Sequence, residues 1–145
     1  MKRLFVYEYM NGSYVILILR ILLGIVFFSH GAQKLLGWFG GRGFTATIES
    51  WSANMNIPAF FGYLGIFAEF FGGIAVLIGL LTRISSLGIA VVMSVAILKV
   101  NLSGGFFNPG GFEYPLTLFI IAIIIFLYGP GNYSLDNKLF SGTRV

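Results

Sequence analysis

Five ionisable side chains lie inside or directly beside apolar segments of this sequence. They are His30, Lys34, Glu69, Lys99 and Glu113. A charged lysine in the centre of a membrane helix costs roughly 2.5–3.5 kcal/mol on insertion scales, so such groups usually face a partner, a cavity or the membrane surface. An imidazole can relay protons near neutral pH, and ammonium groups can stabilise a developing oxyanion. One hypothesis therefore gathers all five into a polar pocket in the outer half of a helix bundle.

Each of these side chains also has a structural interpretation. Glu69 can be a buried acid paired with a cation, or a proton-handling or ligand-binding acid, since intramembrane acids usually have a role. Lys34 can extend its ammonium group to the membrane surface. A lone histidine such as His30 is more often an interhelical hydrogen-bond donor than a ligand. Lys99 and Glu113 fall at about the same depth and can form an ion pair. The sequence leaves these alternatives open.

Two arginines, Arg20 and Arg83, lie towards the opposite ends of the apolar segments from the lysines. Arg20 can snorkel to the inner membrane surface, or it can face a partner inside the bundle. The face that it occupies on the first segment also carries small residues, an aromatic residue and a lysine. These residues are Gly24, Phe27, Gly31 and Lys34.

The composition is that of an integral membrane protein. Of the 145 residues, 57% are hydrophobic and 10% are charged, whereas soluble domains average about 25% charged residues. The chain has no cysteine and one histidine, so we predict no metal site, no iron–sulfur cluster and no haem held between two imidazoles. A redox role therefore needs a diffusible carrier or the cofactor of a partner. The net charge of +4 is scattered and indicates no nucleic-acid binding.

Hydrophobic segments predict four transmembrane helices in one domain that covers residues 1–145. The first segment is too long for a signal peptide and has no cleavage site, so we expect it in the mature protein. We predict an all-α membrane protein, a four-transmembrane-helix bundle with a short interfacial helix between helices 1 and 2. The predicted spans are about 14–37, 60–81, 84–102 and 116–128.

The interfacial helix is predicted from an amphipathic pattern in the first loop. Four apolar residues recur there at helical spacing, and polar residues lie between them. Tryptophan is common at the depth of the membrane interface. The apolar residues are Phe44, Ile48, Trp51 and Met55.

Small residues mark one face of the second span and one face of the third. Membrane helices associate through such faces because small residues let their backbones approach closely. Since Glu69 lies within the first stripe, we predict that it points at a neighbouring helix. The first stripe consists of Gly62, Gly65, Glu69, Gly72 and Gly79, and the second of Ser85, Gly88, Val92, Ala96 and Lys99.

The distribution of lysine and arginine predicts the orientation of the chain. Cytoplasmic segments of membrane proteins carry an excess of these residues. We therefore expect a multi-pass protein with both termini in the cytoplasm. Under the hypothesis of the five-residue pocket, the glycine-aromatic loop at 103–113 would cover that pocket from the outer side. The positive residues on the predicted cytoplasmic side are Lys2, Arg3, Arg83, Lys138 and Arg144.

Three stretches of the sequence resemble the DoxX family of small four-helix membrane proteins. They are Arg20 with HGAQKLLG at 30–37, then GIFAEFFGGIAVLIGLLTR at 65–83, and GPGNYSLD at 129–136. The most specific piece is the glutamate in a glycine-rich helix that ends in a Gly-Leu-x-Thr-Arg turn. The resemblance extends over nearly the whole chain and implies a four-helix bundle in the plasma membrane.

The same resemblance implies which polar positions are characteristic, and it implies a link to redox chemistry. The positions are Arg20, Lys34, Glu69 and Arg83. The related DoxD protein belongs to a thiosulfate:quinone oxidoreductase, and other DoxX-like proteins are associated with membrane oxidoreductase complexes. Because a fold hosts many functions, family likeness alone does not identify the reaction.

Three functions are compatible with these features. In the first, the chain is a membrane subunit of a quinone-linked oxidoreductase that acts on thiosulfate or another sulfur compound. It has no covalent cofactor but can bind a quinone, and it works with a second subunit or as a homo-oligomer. In the second, it is a non-catalytic scaffold or anchor for a soluble redox partner. In the third, an oligomer transports a small solute. Under the first hypothesis Glu69 and His30 are catalytic, and the quinone or substrate is bound by Arg20, Lys34, Arg83, Lys99 and Glu113.

Overall fold

A computed structural model describes residues 12–107 and 109–140 of the chain. The predicted orientation rests partly on Lys2, Arg3 and Arg144, which lie outside these residues. Six α-helices follow one another in this part of the chain, and α4 continues through a π-helical turn at Ile97–Asn101 and a 3₁₀ turn at Leu102–Gly104. The helices are α1 Gly12–Leu35, α2 Phe44–Met55, α3 Ala59–Ile78, α4 Thr82–Ala96, α5 Glu113–Tyr128 and α6 Leu135–Phe140.

Three of these helical segments are long and apolar enough to cross a membrane, namely 12–35, 59–78 and 82–104. The shorter apolar helix α5 adds 16 residues, or about 24 Å at 1.5 Å per residue. The prediction of an all-α membrane bundle is therefore confirmed, with boundaries that differ from the predicted ones by up to three residues. The helix predicted in the first loop is also present, as α2.

Helices α1 and α3 lie antiparallel and approach each other closely through glycines. A Cβ atom built on Gly31 would lie 2.5 Å from the backbone nitrogen of Phe70, and one on Gly73 would collide with the backbone of Phe28. A larger residue at either position would force the two helices apart. Gly31 belongs to the face predicted from the sequence, whereas Gly73 does not belong to the predicted stripe.

The core of the bundle lies where α1, α3, α4 and α5 meet. Its residues are apolar and almost fully removed from the surface, as expected for helices that pack on more than one neighbour. The outward faces of the same helices carry large exposed apolar side chains, which suit contact with lipid. The buried core residues are Leu23, Phe27, Val76, Ile89, Ala90, Leu118, Ala122 and Ile125.

Arg20 joins α1 to α3 and to the segment after α5. Its side chain is 1% exposed. Its guanidinium group donates to the carbonyl oxygens of Val76 at 2.9 Å, Leu77 at 3.1 Å, and Pro130 and Tyr133 at 2.8 Å each. The first two carbonyls belong to the last turn of α3, where carbonyl groups have no partner within the helix. The snorkelling alternative for Arg20 is therefore wrong, because its guanidinium group donates to carbonyl groups inside the protein and does not extend to the membrane surface.

We call this end of the bundle the turn end. It comprises the α3–α4 turn and the segment 129–140. The opposite end, which we call the loop end, comprises α2 and residues 102–107 and 109–112 between α4 and α5.

Asp136 makes a second set of long-range hydrogen bonds at the turn end. Its carboxylate accepts from the backbone N–H of Leu81 at 2.7 Å and of Thr82 at 2.8 Å. Leu81 has φ 48°, a left-handed conformation that costs a non-glycine residue roughly 1–2 kcal/mol. Asp136 thus stabilises a strained start of α4.

We expect Arg20→Lys to lower the free energy of unfolding by about 3 kcal/mol. A lysine ammonium cannot reach four carbonyl oxygens at once, and hydrogen bonds to a charged group contribute about 1.5–3 kcal/mol each. Thermal unfolding in detergent, followed by tryptophan fluorescence, measures the change. Arg42→Lys is the matched control, because Arg42 is exposed and donates to a single side chain, Ser50. Equal shifts in the two variants would contradict the role of Arg20.

We expect Gly31→Ala to destabilise the protein by about 1–3 kcal/mol, because the added methyl group overpacks the contact with α3. The control is Gly88→Ala in α4, where a Cβ atom would lie an ordinary 3.9 Å from the Ala68 Cβ. There the higher helix propensity of alanine should leave stability unchanged or raise it. The unfolding temperatures of the two variants should therefore move apart, and a common shift would refute the close α1–α3 contact.

Candidate functional site

Lys34 and Glu69 form an ion pair between α1 and α3. The Lys34 ammonium donates to the Glu69 Oε2 carboxylate oxygen. The glutamate side chain is 3% exposed and the lysine side chain is 26% exposed. Within residues 12–107 and 109–140 it is the one ion pair between side chains. The prediction that Glu69 points at a neighbouring helix is correct, and its partner there is a lysine.

Helix α2 closes this site from the loop end. Trp51 packs on α3, where a Cβ atom on Gly65 would lie 3.3 Å from its ring. The Lys34 ammonium lies 5.7 Å from the centre of the same ring, within the range of a cation–π contact. Because Gly62 and Gly65 have no side chain beyond a hydrogen atom, α2 can pack closely against α3 at these positions. The predicted interfacial helix is therefore one wall of the site.

A large apolar cleft lies beside the ion pair, between α3 and α4. Its volume is about 810 Å³, and Lys34 and Glu69 are among the residues that line it. The small residues Gly88 and Ala96 of α4 leave this space open, so the second predicted stripe lines a cleft instead of a tight helix contact. We call this space the cleft. It is large enough for a drug-sized apolar molecule.

A second cavity, which we call the vestibule, lies on the other side of Lys34. It has a volume of about 310 Å³ and is lined mostly by polar residues of α1, α2 and the loop between them. Lys34, Trp51 and Met55 line both the vestibule and the cleft. These three side chains therefore form the wall between a polar space at the loop end and an apolar space within the bundle.

The structure does not bring the five predicted pocket residues together. His30 is exposed, because it lies about 100° around α1 from Gly31, which contacts α3. Lys99 is exposed, since the π-helical turn directs Val100 and Asn101 into the cleft in its place. Lys99 and Glu113, which both lie in the described part of the chain, form no ion pair with each other. Neither they nor His30 line the two cavities, so the predicted five-residue pocket is wrong as a grouping.

The two arginines predicted as binding residues lie at the turn end. Arg20 is occupied by four carbonyl oxygens. Arg83 is exposed, and its guanidinium donates to the Leu127 carbonyl oxygen at 3.4 Å. Both are therefore separated from Lys34 and Glu69 by the length of the core. The predicted binding roles of Arg20 and Arg83 remain predictions, and the geometry gives both residues structural contacts.

The site can combine three properties chemically. A buried carboxylate can hold or pass on a proton, an adjacent ammonium can stabilise negative charge on an oxygen, and the apolar surroundings shield the carboxylate from water. Sequence reasoning missed the part played by Gln33, Arg42 and Ser50, which line the vestibule. For Ser50 the available signal is the polar face of α2, which the amphipathic pattern assigns to the membrane surface, whereas Gln33 on α1 and Arg42 in the loop before α2 carry no such signal.

We expect a double-substitution cycle to show strong coupling between Lys34 and Glu69. Lys34→Met alone should destabilise the protein by about 3–5 kcal/mol, because it leaves a buried carboxylate without its cation. Adding Glu69→Gln should recover most of that loss, since the neutral amide needs no counter-charge. Unfolding in detergent measures all four proteins. Additive effects of the two substitutions would show that the side chains do not interact.

Comparison with known proteins agrees with the resemblance seen in the sequence. The model of the DoxX family matches residues 15–102. The chain is 34% identical over 137 residues to the "Putative oxidoreductase CatD" of Bacillus subtilis, which covers 93% of this chain and 96% of that protein. It is 32% identical over 126 residues to the inner membrane protein YqjF of Escherichia coli, covering 86% of this chain and 91% of that protein. No solved structure matches the chain. The protein belongs to the DoxX family.

Proposed function

We propose that the chain is the integral membrane subunit of a quinone-linked oxidoreductase, with the quinone head group beside Lys34 and Glu69. The observation that carries this proposal is the burial of an acid–base pair in the wall of an apolar cleft within a membrane bundle. The family and the name of the Bacillus subtilis relative support it. The name of YqjF supports the plasma membrane as the location, and the predicted orientation remains a proposal.

The residues of the cleft fit a quinone. A quinone has a flat head with two carbonyl oxygens and an apolar tail. Lys34 and Glu69 are the ionisable residues that line the cleft within the described chain, and apolar residues of α3 and α4 line most of the rest. Because Gly88 has no side chain beyond a hydrogen atom, a ring has room to approach the ion pair there. Val91 and Val95 of α4, which also line the cleft, suit contact with the tail.

Quinone, when bound, would accept two electrons and two protons. The Lys34 ammonium would stabilise negative charge at the quinone oxygen that it contacts. The Glu69 carboxyl would supply or receive the proton at the same quinone oxygen, because Glu69 lies beside Lys34 and the oxygen contacts Lys34. The chain has no cysteine, so electrons must come directly from a soluble donor or through the cofactor of a partner protein. The family resemblance points to thiosulfate or another sulfur compound as the donor.

Fluorescence of Trp51 tests this proposal. The chain has two tryptophans, so Trp38→Phe leaves Trp51, in the wall of the cleft, as the reporter. In folded, monodisperse protein, decylubiquinone should quench this fluorescence saturably. Gly88→Phe fills the cleft and should weaken binding by about tenfold or more, which corresponds to about 1.4 kcal/mol. Glu69→Gln should weaken it as well.

The control is Ile120→Phe, which places the same ring on the exposed face of α5. Its binding curve should match that of the parent protein. Quenching without saturation in the parent would refute a quinone site in this chain. Equal binding by the parent and Gly88→Phe would place the quinone outside the cleft.

A further inference from the structure

The vestibule has the lining of an anion site. Lys34 and Arg42 supply two positive charges, and the neutral side chains Gln33, Thr47 and Ser50 complete its polar wall. None of the described residues that line it is an aspartate or a glutamate. A cavity with two cations, hydrogen-bonding groups and no acid favours a small anion over a cation or a neutral molecule.

Donor groups in the vestibule remain available for a ligand. Ser50 Oγ accepts from Arg42 Nη1 at 3.2 Å and from Asn54 Nδ2 at 3.3 Å. Because both of these contacts use its oxygen, its own O–H group is free to donate. Arg42 is exposed and uses one N–H group on Ser50, while a guanidinium carries five. These donors match the several acceptor oxygens of an oxyanion.

Lys34 lies where the two cavities meet, and this position links them. Its ammonium now bonds to Glu69, yet its side chain is 26% exposed and also lines the vestibule. An anion in the vestibule would therefore compete with Glu69 for one positive charge. A lysine side chain has a flexible stem and can change partner by rotation.

Within residues 12–107 and 109–140, no second cation lines the cleft beside Glu69 to replace Lys34. The residues of α2 and α4 that line the cleft beside it are uncharged, among them Trp51, Met55, Gly88 and Val92. Of the other ionisable groups on the neighbouring elements, His30 on α1, Glu49 on α2 and Lys99 after α4 are exposed. Arg20 on α1 and Arg83 on α4 lie at the turn end, where Arg20 donates to four carbonyl oxygens and Arg83 is exposed. A carboxylate that is 3% exposed is costly as an unpaired anion. Losing Lys34 therefore favours the protonated acid.

We propose that the vestibule binds a small oxyanion, and that the bound anion draws Lys34 away from Glu69 so that Glu69 takes up a proton. The loop-end vestibule is thus a second binding site, coupled to the protonation of an acid in the cleft. The inference goes beyond the quinone site, because it does not depend on what enters the cleft.

Calorimetry with sulfate tests the proposal, because sulfate keeps the same charge across the neutral pH range. Purified protein in phosphatidylcholine nanodiscs is titrated in two buffers of different ionisation enthalpy at one pH. Sulfate should bind with uptake of about one proton per site. Glu69→Gln should still bind sulfate, several-fold more tightly because the competitor for Lys34 is gone, and without proton uptake.

Two further variants locate the anion. Arg42→Gln should weaken sulfate binding about tenfold and leave the proton uptake of the remaining binding unchanged. Lys138→Gln, which removes an exposed cation of α6 at the turn end, should change neither quantity. Sulfate binding that is unaffected by Arg42→Gln would overturn the vestibule site. Binding without proton uptake in the parent protein would overturn the coupling to Glu69.

The anion can be a free solute or the phosphate of a lipid head group, and a change of lipid separates the two. If nanodiscs of phosphatidylglycerol abolish sulfate binding, the vestibule holds the oxyanion of a lipid. If they leave it intact, the ligand is a soluble oxyanion. Failure of decylubiquinone to bind would leave all of these outcomes interpretable, because quinone is absent from the titration.

Discussion

The close contact between α1 and α3 positions both polar features of the bundle. Gly31 and Gly73 bring the two backbones together where any larger residue would collide. One end of this contact places Arg20 on the carbonyl groups at the end of α3, and the other places Lys34 on Glu69. Since lipid offers no hydrogen-bond partners, polar groups in the spans need such partners inside the protein. The glycine contact supplies them at both ends.

The turn end and the loop end of the bundle differ in whether the cation of α1 at that end can contact a ligand. At the turn end, the guanidinium of Arg20 donates to four carbonyl oxygens, two of them in the segment 129–140, so its contacts there are structural. At the loop end, Lys34 has one strong partner and two cavities beside it. An ammonium between a polar vestibule and an apolar cleft can act on molecules from both. Membership of the DoxX family and the proposed quinone chemistry are consistent with that division.

Much of the fold was predictable because hydrophobicity and small residues act locally. Four apolar runs predicted the bundle, the spacing of Phe44, Ile48 and Trp51 predicted α2, and the stripe around Glu69 predicted an inward-facing acid. These features follow from helical periodicity along one segment. The sequence does not decide whether Arg20 snorkels or is buried, because its four acceptors come from α3 and from residues 130 and 133. Such distant contacts leave no periodic signal.

The sequence by itself determined a membrane-embedded helical bundle, the absence of cysteine chemistry, and an acid that must face protein. Tertiary structure alone decided which cation meets Glu69 and which predicted partners do not. His30 and Lys99 have suitable chemistry at a suitable depth, yet helix rotation and a π-helical turn place them on exposed faces. Depth along a helix can be read from residue number, whereas the direction of a side chain depends on how neighbouring helices pack. Two cavities that share Lys34 exist only because that packing leaves space around it.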